Sequence, residues 1–186
     1  MNKQEKINWI ISKHEDTNHM YDVYLPYKFH LLMVVEVFKR FKYLLDSSVE
    51  GDIEDALETI ELAAWGHDLI EDTRTSYSDV SHKLGKSSAN IIYALTNEKG
   101  RNREERANDR YYDGIRSTPY ATFVKLCDRI ANVQYGKMMG TSMFTKYKKE
   151  NDHFMRHLGY IGIPMITNTY KPMFEYLIDL FNKESW

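Results

Sequence analysis

Residues 67–73 read His-Asp-Leu-Ile-Glu-Asp-Thr and place one imidazole and three carboxylates directly after an apolar helical segment. In that preceding segment, apolar residues recur with the spacing of one helix face, at Ile53, Leu57, Ile60 and Ala64. The same count carries this face through His67, Asp68 and Glu71. Ionisable groups therefore stand where a helix normally turns apolar side chains toward a core, and few folds can hold them there.

The charges around this segment are unbalanced. From Asp46 to Thr73 the chain has ten carboxylates and neither Lys nor Arg. The acidic residues that lie off the apolar face are predicted to be solvated, and they are Glu54, Asp55, Glu58 and Glu61. The groups on the apolar face need a different partner, and a metal ion can supply it.

Helical periodicity also dominates the rest of the chain, whereas no segment combines alternating apolar residues with hairpin turns. Helices are predicted at residues 3–14, 27–45, 77–84, 87–95, 119–136 and 144–158, with Pro119 at the first position of its helix and Pro172 opening a last one. Residues 15–26 and 136–145 are predicted as loops, residues 47–51 as a turn and Asp52 as an N-cap. The predicted fold is all-α, a compact bundle of roughly eight to ten helices.

Bulk composition limits the class of protein. The 186 residues suit a single domain over residues 1–186, and 42% hydrophobic with 28% charged residues is ordinary for a globular protein. The formal charge of −2 argues against genomic nucleic acid as a partner, but it allows a local basic pocket for a nucleotide. The sequence lacks a membrane-length apolar run and a signal pattern, and its one Cys cannot form an internal disulfide. We therefore expect a cytoplasmic protein without a membrane partner, and the sequence leaves its oligomeric state open.

Two more polar residues fall on apolar faces of other predicted helices. His30 begins the face that continues through Val34, Val37, Phe41 and Leu44, and Asp128 shares a face with Val124, Cys127, Ala131 and Tyr135. With His67 and Asp68 they make two imidazoles and two carboxylates, a common ligand set for a divalent ion. Adjacent helix positions point about 100° apart, so His67 and Asp68 can reach one ion only where the helix ends or turns. Nitrogen and oxygen ligands without thiolate favour Mn²⁺, with Fe²⁺, Mg²⁺ and Zn²⁺ as alternatives.

Three blocks of the sequence resemble one known family. Residues 67–73 are similar to the HD-x-x-ED-T motif of the alarmone (ppGpp) hydrolase domains, found in bacterial Rel/Spo enzymes and in the small metazoan alarmone hydrolases. Residues 125–132, Lys-Leu-Cys-Asp-Arg-Ile-Ala-Asn, resemble their K-L-A-D-[RK]-x-x-N motif, and residues 27–30, Tyr-Lys-Phe-His, resemble their P-Y-x-x-H motif. In order, the blocks resemble the H…HD…D signature of the HD-domain metal-dependent phosphohydrolases, a superfamily with an all-helical core.

The resemblance implies roles for individual residues. It implies that four side chains bind the metal, namely His30, His67, Asp68 and Asp128. It further implies that Glu71 and Asp72 position and activate the attacking water, and that Asn132 and Arg129 lie near the nucleotide. These roles agree with the chemistry, because a metal acidifies a water and a carboxylate nearby can accept its proton.

The chain departs from the family just before the P-Y-x-x-H block. The family commonly carries an Arg-Lys pair there that contacts the substrate, whereas residues 18–21 here read Asn-His-Met-Tyr. Other cations are candidate substitutes, namely Lys28, Lys99, Arg106 and Arg110, although the mixed charges of residues 97–116 also fit a solvated helix. The predicted function is metal-dependent hydrolysis of a nucleotide phosphate or pyrophosphate, foremost a 3′-pyrophosphohydrolase acting on ppGpp. The alternatives are a deoxynucleotide phosphohydrolase of the HD superfamily and a non-catalytic nucleotide-binding regulator.

Overall fold

The computed structural model describes residues 1–45, 53–97 and 100–182, without the side chains of residues 103 and 104. The predicted turn at 47–51, the predicted N-cap Asp52 and the candidate cation Lys99 lie outside the described residues. These described residues form eleven α-helices in this order: α1 Lys3–Glu15, α2 Lys28–Phe41, α3 Ile53–Gly66, α4 Leu69–Asp72, α5 Tyr77–Leu84, α6 Lys86–Leu95, α7 Arg103–Arg106, α8 Asp109–Ser117, α9 Ala121–Met138, α10 Ser142–Leu158 and α11 Pro164–Asn182.

The all-α prediction is confirmed for the described part of the chain. Two of the helices, α4 and α7, are single turns of four residues, so nine are longer, and a 3₁₀ turn over Lys42–Leu44 extends α2. The one β feature among the described residues is an isolated bridge between Met20 and Pro26, which closes the loop that precedes α2. No described helix has the length and apolarity needed to cross a membrane.

The two predictions that a proline opens a helix are both wrong. The prediction for Pro119 is wrong because Tyr120 adopts a left-handed φ of 65°, and α9 begins only at Ala121. The prediction for Pro172 is wrong because this residue lies inside α11, which begins at Pro164. Proline at the start of a helix loses no hydrogen bond, so Pro164 takes the position that such a residue favours.

Two predicted boundaries are also wrong. The loop expected at 136–145 is shorter, since α9 continues to Met138 and α10 begins at Ser142. The charged segment 97–116 forms two helices, α7 and α8, separated at residues 107 and 108. Asn108 caps α8, because its side chain accepts a hydrogen bond from the Tyr111 amide.

Helix α9 lies at the centre of the bundle and packs against α2, α3, α6, α8, α10 and α11. Its buried residues include Phe123, which meets Phe38 of α2 edge to face at 6.0 Å between ring centroids. Helix α2 in turn packs on α3, and α3 packs on α6. Burying one such aromatic side chain stabilises a fold by about 1.5–3 kcal/mol, so this core fixes the positions of α2, α3 and α9.

The end of α3 matters most for the site. The helix stops at Gly66, and residues 67 and 68 form a turn before α4 begins at Leu69. A Cβ on Gly66 would stand 2.8 Å from Cδ1 of Ile92 and 3.1 Å from Cδ1 of Leu69. A larger residue at position 66 would therefore require the Ile92 side chain to shift, and glycine lets α3 approach α6 this closely without such a shift. The turn at residues 67 and 68 is the one that the sequence required if His67 and Asp68 were to face one point.

Candidate metal centre and active site

Three elements bring the four predicted metal ligands together: α2 carries His30, the turn after α3 carries His67 and Asp68, and α9 carries Asp128. The Nε2 atoms of His30 and His67 are 3.2 Å apart. Oδ2 of Asp68 lies 2.8 Å from the His67 Nε2, and Oδ1 of Asp128 lies 3.3 Å from the His30 Nε2. The two imidazoles are almost fully buried, at 1% and 2% exposure for His30 and His67.

Neighbouring groups set the orientation of the two imidazoles. Nδ1 of His67 donates to the Ala64 carbonyl at 2.9 Å, which directs Nε2 at the shared point. The ring of His30 is stacked under that of Tyr21, with centroids 4.8 Å apart and an angle of 11° between planes. The Tyr27 hydroxyl donates to Oδ2 of Asp68. The ligand atoms are thus held before any ion arrives.

The ionisable groups of this centre strongly shift one another's pKa values. Burial lowers the pKa of His67, but Asp68 and then Asp128 outweigh burial and raise that pKa to about 9. Burial likewise raises the pKa of Asp68, but the charge and hydrogen bond of His67 outweigh it and hold the pKa well below its usual range. Two buried carboxylates thus remain charged beside imidazoles, an arrangement that a cation at the centre would stabilise.

Asp128 has a second partner that the sequence prediction missed. Nζ of Lys125, one helical turn earlier on α9, lies 3.0 Å from Oδ2 of Asp128. Nδ2 of Asn132 donates to Oδ1 of the same carboxylate at 2.5 Å. Burial raises the pKa of Asp128, but Lys125 first and then His30 hold that pKa well below its usual value. The i to i+3 spacing of Lys125 and Asp128 is the signal that could have identified this pair.

The donor set fits a divalent ion. One ligand atom from each of His30, His67 and Asp128 lies within 4.8 Å of the others, and this is the one such group among the described residues. Ligands at 2.0–2.2 Å from one ion are separated from each other by about 3–4 Å, which matches the spacings measured here. The four candidate ligand side chains present nitrogen and oxygen without a thiolate, the set that suits Mn²⁺, Fe²⁺ or Zn²⁺.

This centre forms the floor of a cavity of about 540 Å³. Glu71 and Asp72, the two predicted water-handling carboxylates, lie on its wall. Burial, then the charges of Asp68 and Glu71, raise the pKa of Asp72 to about 7. A larger cavity of about 1220 Å³ lies between α3, α6 and α8. Arg110, one of the candidate cations, lines this larger cavity and not the one over the candidate metal centre, and the two cavities share Asn97 and Tyr111.

Some of the residues predicted to contact the substrate line this cavity and others do not. Arg106, Arg129 and Asn132 line the cavity, whereas Lys28 is exposed and is not among the lining residues. Arg129 lies against the rings of Phe154 and Tyr147, with its Cζ 4.1 Å and 4.5 Å from their centroids. Its Nη1 is buried and has no hydrogen-bond partner in the described structure, although Oε2 of Glu150 stands 3.6 Å away.

Several lining residues come from parts of the chain that sequence reasoning left unassigned. Helix α10 supplies Lys149, Glu150 and His153, and the residue after the α6 cap supplies Asn97. No local pattern could identify them, because α10 has no match to a family motif and Asn97 lies in a charged connection. They reach the site only because α10 packs on α9 and α4 packs on α6.

The segment that replaces the expected basic pair packs around the metal ligands. The His19 ring stacks on Tyr27 at 3.8 Å between centroids, and its Nε2 lies 3.8 Å from Oδ2 of Asp72. The Tyr21 hydroxyl donates to Oδ1 of Asn132 at 3.0 Å. Aromatic rings and one imidazole therefore stand where the resemblance led us to expect cations, so this side of the cavity has no Arg or Lys among residues 18–21.

No protein-family model matches the chain. It is 28% identical over 130 residues to the guanosine-3′,5′-bis(diphosphate) 3′-pyrophosphohydrolase MESH1 of Danio rerio, which covers 70% of this chain and 66% of that protein. The protein of the same name from Drosophila melanogaster is 31% identical over 87 residues, 47% of this chain and 48% of the relative. The match therefore spans less than two thirds of each of these relatives.

One solved structure has the same fold. It is described by the words "A metazoan ortholog of SpoT hydrolyzes ppGpp and plays a role in starvation responses". It superposes with a TM-score of 0.63 over 97% of this chain and 93% of that chain, at 18% sequence identity. The helical bundle of the present chain is thus shared along nearly its whole length.

The helical bundle, with two imidazoles and two carboxylates brought together between its helices, is the arrangement that the resemblance to HD-domain proteins implied. Its sequence relatives bear the name of an alarmone hydrolase, and the solved structure has the same fold. The predicted resemblance to the HD-domain alarmone hydrolases is therefore confirmed.

Proposed function

We propose that this protein is a Mn²⁺-dependent 3′-pyrophosphohydrolase of ppGpp. The observation that carries the proposal is the convergence of His30, His67, Asp68 and Asp128 on the floor of a cavity whose wall carries Glu71 and Asp72. The similarity to proteins named as hydrolases of guanosine-3′,5′-bis(diphosphate) supports this choice of substrate.

The four convergent side chains would hold the ion. Bound there, a divalent metal lowers the pKa of a water molecule and neutralises charge on phosphoryl oxygens. His67 keeps its Nε2 available because Nδ1 is committed to the Ala64 carbonyl. Lys125 and Asn132 hold the Asp128 carboxylate in place, so that its position changes little between the free and the loaded protein.

Glu71 and Asp72 handle the attacking water in this proposal. The water attacks the phosphorus bonded to the 3′ oxygen of the ribose, the bond from phosphorus to that oxygen breaks, and the 3′ oxygen takes up a proton, which gives GDP and free pyrophosphate. Glu71 orients the water, and Asp72 accepts its proton. The pKa of Asp72, near 7, suits a group that must accept and release a proton at neutral pH.

Cations on the far wall would bind the remaining phosphates. Arg129 lines the cavity, and its buried Nη1 has no hydrogen-bond partner in the described structure, so a phosphate oxygen that reached it would supply one. Arg106 and Lys149 line the same cavity. The amide of Asn132 completes this side, where its Nδ2 faces Asp128.

The experiment measures product release from a panel of ppGpp, dNTPs and nucleoside monophosphates with Mn²⁺, Fe²⁺, Mg²⁺ or Zn²⁺. Pyrophosphate and GDP released from ppGpp, fastest with Mn²⁺, are the expected result. The absence of Arg and Lys at residues 18–21 favours one other candidate, a dNTP or deoxynucleotide phosphohydrolase with fewer phosphate contacts. Release of triphosphate from a dNTP, or of phosphate from a monophosphate, with ppGpp left intact, would establish that candidate instead. Tight metal binding without turnover of any compound would leave a nucleotide-binding regulator.

A further inference from the structure

The Glu71 carboxylate is held by a single residue, Asn97, which follows the C-cap of α6. Nδ2 of Asn97 lies 2.7 Å from Oε1 and 2.9 Å from Oε2 of Glu71. The backbone amide of Asn97 lies 3.3 Å from the same Oε2. Among the described residues, every hydrogen bond to the Glu71 side chain comes from Asn97.

The chemistry of the two groups fixes the direction of these bonds. A side-chain amide has one donating and one accepting end, and only the donating nitrogen is favourable so close to two carboxylate oxygens. The backbone N–H of Asn97 is also a donor. Glu71 therefore accepts with both oxygens and is held in one orientation by bonds to a charged group, the stronger kind.

The local structure explains how Asn97 reaches Glu71. Helix α6 ends at Leu95, and Oγ1 of Thr96 donates to the Ile92 carbonyl at 3.1 Å. Thr96 itself has extended backbone angles, so the chain leaves the helix axis immediately after it. This exit turns both the backbone amide and the side chain of Asn97 toward α4, which packs on α6.

Glu71 needs such a partner. It lies on α4, a helix of only four residues, and its half-buried side chain has three rotatable bonds. Ordering such a side chain costs conformational entropy, which the bonds from Asn97 offset. Without them the carboxylate would rotate away from the reacting water.

We infer that Asn97 is a positioning residue for the reaction, one that acts by fixing the Glu71 carboxylate over the metal centre. The inference rests on the proposed function, because it assigns Asn97 a part in the step that Glu71 performs. It also distinguishes the two carboxylates on the cavity wall. Asn97 donates hydrogen bonds to Glu71 but not to Asp72. Asn97 also lines the cavity, so direct contact with the substrate is the competing explanation that the test must exclude.

The test compares Asn97→Ala with the full-length wild type and with Asn90→Ala as a matched control. Asn90 is an exposed residue of α6 whose Oδ1 accepts a hydrogen bond from the Tyr77 hydroxyl, so its replacement removes one bond between helices. Asn90 lines the larger cavity but not the one over the candidate metal centre. We expect Asn97→Ala to lower kcat by about 10- to 100-fold while KM and the affinity for Mn²⁺ change less than about twofold. Asn90→Ala should leave all three unchanged.

Two further variants separate positioning from folding and from substrate binding. Asn97→Asp keeps the shape but places a carboxylate against Glu71, so its kcat should fall further than that of Asn97→Ala. In a Glu71→Gln background, Asn97→Ala should lower the residual kcat much less than it does in the wild type, because both changes act on one group. A raised KM with an unchanged kcat, or an unchanged kcat in both Asn97 variants, would overturn the inference. A wild type that turns over no compound in the panel would overturn the proposed function, and the inference with it.

Discussion

Replacing Asp128 by Asn should unfold the protein more easily even when no metal is present. The Asp128 carboxylate lies 3.0 Å from Nζ of Lys125, and the two side chains are only 14% and 17% exposed. In the described part of the chain, Asp128 is the one carboxylate within ion-pair distance of Lys125. Burial opposes the charge on Lys125, yet Tyr111 and Asp128 hold its pKa well above the usual value. Asp128→Asn would leave this charge buried without its partner.

The expected cost follows from the geometry. Removing one partner of a buried ion pair destabilises a fold by about 3–5 kcal/mol, and the residual exposure of this pair places the value near 3 kcal/mol. The converse change, Lys125→Met, should cost about 1–2 kcal/mol, because Asp128 keeps His30 at 3.3 Å and Asn132 at 2.5 Å. The double variant should be more stable than Asp128→Asn alone, since it no longer buries an unpaired ammonium group.

Urea denaturation in excess EDTA measures this order directly. With a slope of about 1–3 kcal/mol per molar urea, a loss near 3 kcal/mol moves the midpoint by about 1–2 M. EDTA is necessary because bound metal would stabilise only the variants that still bind it. If Asp128→Asn matched the wild type, or if the double variant were the least stable of the three, Lys125 would not depend on Asp128 in the way described.

Three other perturbations have equally definite outcomes. Arg129→Lys should raise KM for ppGpp by about tenfold with a smaller effect on kcat, because an ammonium group cannot stack on the rings of Phe154 and Tyr147 as a planar guanidinium can. An unchanged KM in steady-state kinetics would contradict this prediction. Phe154→Ala should lower the free energy of unfolding by about 3–5 kcal/mol, since a side chain that is 1% exposed is removed from the face of α10 packed on α9, and a loss below 1 kcal/mol in urea denaturation would show that this packing is not as described. His14 should make stability depend on acid: burial lowers its pKa to about 4, so the unfolded chain binds a proton more readily and stability falls by about 3 kcal/mol as the pH drops from about 6.5 to 4. Denaturation at a series of pH values should show a shallower fall for His14→Phe, and parallel curves would argue against the neutral buried imidazole.

The sequence predicts the site best where an ionisable residue falls at a position that helical periodicity assigns to an apolar face. His67 falls on an apolar helix face, and only a turn at the end of α3 can bring Asp68 to the same point; the structure has that turn at residues 67 and 68. His30 and Asp128 follow the same reasoning on α2 and α9. In each case burying an ionisable group costs free energy unless the group has a partner, so its position on a buried face indicates a functional site.

The parts that the sequence does not predict depend on contacts between distant segments. Tyr120 adopts a left-handed backbone that no propensity favours, and it delays the start of α9 past Pro119. Asn97 reaches Glu71 because α4 packs on α6, and Arg129 becomes a cavity residue because α10 brings Phe154 and Tyr147 around it. Local patterns carry no record of such packing, so the far wall of the site requires the structure.

The central claim is that this centre uses a metal to hydrolyse ppGpp at its 3′ position. The most direct measurement follows pyrophosphate release from ppGpp by the metal-stripped protein, before and after addition of Mn²⁺, beside Asp68→Ala treated in the same way. We predict no release before addition, restored release in the wild type after it, and a loss of at least about 1000-fold in Asp68→Ala, because the variant loses a ligand that lies 2.8 Å from the His67 Nε2. Equal rates in the two proteins, or release that is indifferent to metal, would contradict the account.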